Sequence, residues 1–298
     1  MNITLYAYLD ITHPFVAWEV AIGRIKSVDD NNPEGFGISQ WQYSLLSEYV
    51  NHGINQRFIN ELMLERIRQK CYPQCVSRLQ GVYFFESEED ANNALDRWNM
   101  PYNKKYISAV KFSANKLTKV DSEWITNKLF STSDIRWMNR YWEGEVYGEA
   151  PLYEILASGI GVILNYDLRI EAYKRIIKLW PESTFLLAMA CCSFKAYKME
   201  EIALLRPAII AKNDKIIGSY FIKMSDLDTK ENQEKAAHAM EICKKNNELP
   251  PFILPKNPEA IWRIPDLRQY IFIFDNPLAS NILSAVHDFN CSHNSKKD

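Results

Sequence analysis

Glycine is scarce in this chain, with 10 among 298 residues. A glycine-rich phosphate cradle has little to be built from, and neither GxxxxGK[ST] nor GxGxxG occurs. That argues against a nucleotide triphosphatase and a Rossmann dehydrogenase. GxSxG and HExxH are missing too, which removes common hydrolase and zinc-protease signatures. No run approaches the ~20 apolar residues of a membrane span, so no membrane partner is expected. The opening Met-Asn-Ile-Thr-Leu-Tyr has no basic n-region and no small-residue cleavage site, so no signal peptide is expected. Charge of one sign is not in surplus: Lys+Arg 35 against Asp+Glu 37 leaves −2. A phosphate-backbone binder usually shows a basic excess, although a local basic face would vanish in the sum.

Six cysteines, Cys71, Cys75, Cys191, Cys192, Cys243 and Cys291, make neither a CxxC pair nor a disulfide framework. A reducing, cytoplasmic setting is the expectation. Cys71-x3-Cys75 with His52 upstream lacks the second ligand pair of a structural zinc site, so no metal is expected.

What is present is a core. Hydrophobic residues make up 47% and charged residues 24%, the balance of a globular chain. Aromatic residues reach 13%, with 8 Trp and 16 Tyr. Such rings fill cores, and they also stack on nucleobases.

The pattern predicts an α+β chain. Strand formers run over 3–9, and Asp29, Asp30, Asn31, Asn32, Pro33 and Gly35 mark a loop over 27–37. Ile54, Phe58, Leu62 and Ile67 keep helical period over 54–70. A loop from Pro73 enters a buried strand that ends at Phe85, and Ser87 caps a helix with Glu88, Glu89 and Asp90 in its first turn. Strands are expected at 106–112 and 160–164, the latter after a turn at Ser158–Gly159. Beyond Asn165 the pattern becomes helical at 168–179, 182–197, 200–211 and 232–246. Pro250, Pro251 and Pro255 break it, 266–274 is a last apolar element, and 292–298 is a polar, loose tail. The expected division is an α+β domain at 1–165 and a mainly helical one at 166–298.

One constellation carries chemistry. A helix bearing Glu65 and Arg68 precedes Ser77-Arg78, the aromatic strand and the acid-capped helix. Much later come Pro151-Leu-Tyr-Glu154-Ile-Leu, a glycine and an apolar strand. In order and spacing, residues 1–165 resemble the small ADP-ribosyltransferase-like toxin families. The resemblance implies a split sheet with flanking helices, and NAD as substrate. It makes Glu154 the catalytic carboxylate, Ser77 the residue opening the nicotinamide-pocket strand, and Arg78 a neighbour of the cofactor phosphates. The family's first-strand residue is often Arg or His; this strand offers Tyr6 and Tyr8, with His13 just after it.

These residue types suit the chemistry. Cleaving a nicotinamide–ribose bond passes through an oxocarbenium-like state that a carboxylate stabilises. Each residue also has a plainer role open to it: Glu154 as an ion-paired strand end, Ser77 as a turn cap, Arg78 as a structural cation, Tyr6 and Tyr8 as core. Glu143 and Glu145, flanking Gly144, are the reserve carboxylates.

The function expected from this resemblance is an NAD-dependent toxin or defence effector acting on a macromolecule, whether protein, RNA or DNA. The helical half would bind that target, an antitoxin or an inhibitor protein. Two alternatives stand beside it. One is a non-catalytic interaction protein on a degenerate scaffold. The other is a nucleic-acid-binding module using Lys104, Lys105, Lys111, Lys116 and Lys119.

Overall fold

A computed structural model describes residues 1–28, 31–32, 35–131, 134–254, 257 and 261–294. Asp29, Asp30 and Pro33 of the expected loop, Pro255, and residues 295–298 of the expected tail lie outside the described residues. The chain is α+β, and its two sheets are antiparallel throughout.

The first sheet is built on one long ladder. β6 (Ile107–Asp121) pairs along most of its length with β7 (Tyr153–Ile163), and β1 (Asn2–Tyr8) joins the other edge of β6. The far edge of β7 is shared. β2 (Arg24–Lys26) takes Ile160–Val162, and β5 (Val82–Phe84) takes Ile155–Ala157. Just past β5, Phe85 exchanges two backbone hydrogen bonds with Tyr6 of β1, at 2.8 and 3.0 Å. The sheet thereby curls back to meet its own first strand.

The expected turn at Ser158–Gly159 is corrected: β7 runs straight through it. Gly159 sits at φ +137°, opposite the register shift between Ala114 and Lys116 of β6. A Cβ there would stand 2.1 Å from the Ser113 carbonyl oxygen. The glycine marks a close approach of two backbones across a bulge.

The second sheet has the order β10-β9-β8-β4-β3, comprising Phe272–Asp275, Lys215–Lys223, Leu204–Lys212, Gly35–Gly37 and Asn31–Asn32. The helix expected at 200–211 is therefore a strand. Ile209 and Ile210 favour extended chain, and Pro207 would have broken a helix interior. Asn213 and Asp214, both at positive φ, turn β8 tightly into β9. A two-residue turn with both residues at positive φ matches the twist of a hairpin. The last apolar element contains β10, and α10 (Pro277–Asn294) continues through the start of the expected loose tail.

Helices cover both sheets. α1 (Pro14–Ile22) escapes the periodicity reading because it is buried nearly all round and so shows no polar face. It packs on α7 (Tyr166–Leu179) and α8 (Thr184–Tyr197). α2 (Gln40–Asn51) and α3 (Asn55–Cys71) follow, and α3 packs against α10. Ser87 caps α4 (Glu88–Arg97) as its position implied, accepting from the Asp90 N–H at 3.0 Å. α5 (Glu123–Lys128), α6 (Arg136–Trp142) and α9 (Lys230–Lys245) complete the set used below.

The expected boundary near Asn165 does not separate two cores. Phe36 of β4 pairs with Ile209 of β8, and one hydrophobic cluster takes in Leu5, Trp18, Phe112, Leu187 and Leu205. Helix predominates in the second stretch, but that stretch also supplies β8, β9 and β10 to the second sheet. Among the described residues no helix is long and apolar enough to cross a membrane.

The glycine at the bulge gives a direct test. Gly159→Ala should destabilise the chain by about 1–3 kcal/mol from backbone strain alone, and more with the clash. Urea unfolding measures it; an unchanged midpoint would show that β6 and β7 do not approach as described.

Candidate functional site

A cavity of about 560 Å³ lies between strands of the two sheets. Its walls come from the end of β1, the start of α1, the first turns of α2, β5, Glu154 of β7, and Leu204–Pro207 of β8. Sites for small molecules typically span about 300–1,000 Å³.

Strand alternation points Tyr6 and Tyr8 to the same face of β1, but only Tyr8 reaches the cavity. Tyr6 packs with the satellite cluster of Phe85, Ala91 and Leu95. The Tyr8 hydroxyl accepts from Asn103 Nδ2 at 2.9 Å. Burial, assisted by Asp10, raises its ionisation far above the usual tyrosine range, so it stays a neutral phenol.

His13 also lines the cavity. It caps α1, with Nδ1 accepting from the Phe15 N–H at 3.2 Å, and its Nε2 lies 3.3 Å from Gln40 Nε2. The ring stands 4.2 Å from that of Tyr270, centre to centre. Burial pushes its pKa down to about 4 against an opposing pull from Asp10. His13 is therefore neutral at pH 7.

Glu154 is the second residue of β7 and is only 6% exposed, yet it forms part of the cavity wall. Its Oε2 lies 3.6 Å from Arg78 Nη1 and has no hydrogen-bond partner among the described residues. Burial pushes the carboxyl up to about 7, and Glu61 and Asp121 push the same way while Arg78 opposes them. Asp121 itself is fully buried and accepts the backbone N–H groups of Glu123, Tyr147 and Leu152, which fixes the chain just before β7.

Arg78 and Ser77 stand behind the wall and do not line it. Arg78 donates from Nε and Nη2 to the two oxygens of Glu61, at 3.2 and 3.1 Å, and from Nη1 to the Tyr141 hydroxyl at 3.0 Å. Ser77 closes a turn: Oγ accepts from the N–H groups of Leu79 and Gln80 and donates to Glu65 at 2.8 Å. Arg68 in turn forks onto Glu65. The turn delivers Val82 into β5. Glu154, Tyr8 and His13 thus share a cavity, Arg78 touches Glu154 from behind, and Ser77 and Tyr6 lie outside it.

The reserve carboxylates are exposed on the surface. Glu143 accepts from the Tyr72 hydroxyl, and Glu145 pairs with Arg140. Of the lysine stripe, Lys104 pairs with Asp96 and Lys119 with Glu86.

Apart from Tyr8, the sequence reading missed the aromatic part of the wall. Trp41 is its hub, with ring centres 6.1 Å from Tyr8, 6.3 Å from Tyr83 and 5.8 Å from Trp98. The four rings come from α2, β1, β5 and the end of α4, so no local motif joins them. High aromatic content was the signal that could have raised them. Among the described residues, no three His, Cys, Asp or Glu are grouped to hold a metal ion.

The raised Glu154 pKa has a thermodynamic consequence. Between its ordinary 4.5 and about 7 the unfolded chain gives up this proton before the folded one does, so Glu154's contribution is present below that window and lost as pH rises through it. Glu154→Gln should therefore gain stability relative to the wild type across those pH values, by about 3 kcal/mol at most. Denaturant unfolding at several pH values reads this directly. A difference between the two proteins that stays constant with pH would contradict a buried, proton-binding Glu154.

No curated protein matches the chain. A family model does, over residues 18–168, which takes in half of the sequence and includes Trp41, Ser77, Arg78, Tyr83, Trp98 and Glu154. The chain belongs to that family, whose description is a protein of unknown function (DUF2441).

Proposed function

We propose that the chain is an NAD-dependent ADP-ribosyltransferase whose cavity takes the dinucleotide with its nicotinamide-ribose end at Glu154. One observation carries this reading: a nearly buried carboxyl, with an oxygen lacking any hydrogen-bond partner among the described residues, forms part of an aromatic-walled cavity. In this reading the two antiparallel sheets correspond to the split sheet of the family that the sequence resembles.

This reading implies a definite chemistry. Nicotinamide leaves with the electron pair of the ribose C1′–N bond, and the ionised Glu154 stabilises the cation left behind. The acceptor's nucleophilic atom then bonds to C1′ and gives up its proton. Turnover should rise with pH through about 7, where Glu154 ionises. Tyr8 and His13 hold the cofactor. Arg78 acts through Glu154, because it stands behind the wall and does not line the cavity. The acceptor is a protein, RNA or DNA in the cytoplasm, and the chain serves as a toxin or defence effector. The stretch 166–298 binds the target, an antitoxin or an inhibitor protein.

A specific observation favours a second reading, a non-catalytic interaction module. The cations lining the cavity, among the described residues, are Arg24, Lys26 and Arg206. Each is engaged: Arg24 with Glu19, Lys26 with Glu200 and Glu201, and Arg206 with the carbonyls of Lys26 and Ser27. A pyrophosphate would have to displace one of them.

Calorimetry with NAD separates the two. The transferase reading expects saturable NAD binding and nicotinamide release. Glu154→Gln, which keeps the side-chain shape, should leave most of the affinity and lower release about 100-fold or more. No binding of NAD, or undiminished release by the variant, would overturn it.

A further inference from the structure

Trp18, Trp124, Trp137 and Trp142 are buried and fill the two large cores. Trp41 and Trp98 are different: they stay half-buried, and both line the cavity together with the half-buried Tyr8 and Tyr83. α2 turns one stripe toward this space, since Trp41, Ser44, Leu45 and Glu48, spaced three and four apart, all line it. The wall is acidic as well as aromatic. Asp10 sits in a turn just after β1, where it accepts from the N–H and the hydroxyl of Thr12, and Glu48 is exposed near the end of α2. Both line the cavity, and neither has an ion-pair partner among the described residues. The field of Asp10 reaches other groups on the wall, opposing ionisation of Tyr8 and favouring the charged form of His13. The cations of the cavity stand on β2 and β8 and are engaged there with acids and carbonyls.

We propose that this wall recognises a flat organic cation, with a positively charged aromatic ring on the face of Trp41 and with Asp10 and Glu48 supplying the countercharge. Indole attracts a cation more strongly than the other aromatic side chains, and the attraction grows as water is excluded. Carboxylates beside such a face add a Coulomb attraction that a neutral ring of the same shape does not feel. A purely apolar wall would hold the two rings alike, in proportion to the area covered. Tyr83 links the wall to the carboxyl site: its ring centre is 6.3 Å from that of Trp41 and 5.4 Å from the guanidinium carbon of Arg78, which neighbours Glu154. Applied to NAD, the inference rests on the transferase reading above. The oxidised nicotinamide ring carries a positive charge and the reduced ring carries none, so the wall would hold NAD in preference to NADH.

Two small probes of one shape test this without NAD. The first, 1-methylnicotinamide, is a planar cation. The second, 3-methylbenzamide, has carbon in place of the charged ring nitrogen and is neutral. Titrations followed by NMR of the probe give both dissociation constants. The cation is expected to bind about tenfold more tightly than the neutral probe. In Trp41→Leu and in Glu48→Gln that ratio should shrink by about threefold or more, and Glu48→Gln should bind the neutral probe as the wild type does. Equal affinities, no binding of the cation, or a ratio that either folded variant leaves unchanged overturns the proposal. Should Trp41→Leu fail to fold, Glu48→Gln decides alone, since that side chain is exposed. The site and the transferase reading can fail separately. A preferred cation with no NAD binding would sink the transferase and keep the cation site, whereas NAD binding with no preference between the probes would do the reverse.

Discussion

A guanidinium with no access to water has to find its partners inside the protein, and Arg78 draws four pieces of chain together to do so. Its own turn meets α3 through Glu61, α6 through Tyr141 and β7 through Glu154. Removing one partner from a buried ion pair typically costs about 3–5 kcal/mol, because the other charge is left uncompensated. The Tyr83 hydroxyl donates to the Arg78 carbonyl, so the next strand is tied to the same point. Beside it, Glu65, Arg68 and Ser77 form a second buried knot that shapes the turn. The placement of Glu154 on the cavity wall follows from these contacts and from Asp121, which accepts three backbone N–H groups just ahead of β7.

A similar device joins the beginning of the chain to its second half. Arg24, at the start of β2, forks onto Glu19 of α1 and donates to the carbonyls of Glu200 and Ile202. Glu19 also accepts the Leu205 N–H, and the Trp18 indole donates to the Ala203 carbonyl. These bonds anchor the entry into β8 against α1. β8 supplies Leu204–Pro207 to the cavity, so the cavity has a wall from each side of residue 165. The aromatic wall likewise draws on α2, β1, β5 and α4, with Trp41 touching rings from the other three.

Local chemistry was legible in the sequence wherever one segment could satisfy itself. Ser87 followed by three acids could only be a helix start, and α3, α7 and α9 showed their apolar stripes, because each buries one face and leaves another wet. Asn213-Asp214 between two β-branched runs also carried its hairpin openly, although the helical reading of 200–211 passed over it. α1 was hidden for the opposite reason: a helix buried on all sides has no period to read. Gly159 looked like a turn because a lone glycine announces only that a Cβ has no room. Whether a turn or a neighbouring strand crowds it depends on β6, some forty residues earlier.

For the site, the sequence by itself determined which side chains were available: one glutamate at a strand edge, a Ser-Arg pair before an aromatic strand, tyrosines on the first strand and a histidine after it. Only the tertiary structure decided what each would touch. It put Glu154, Tyr8 and His13 on one cavity, turned Ser77 and Arg78 inward to Glu65 and Glu61, and added Trp41 to the cavity wall. Burial is the physical reason. The charge state of Glu154, the partners of Arg78 and the neutrality of His13 all depend on how much water is excluded and which charges remain nearby, and both are set by segments far away along the chain.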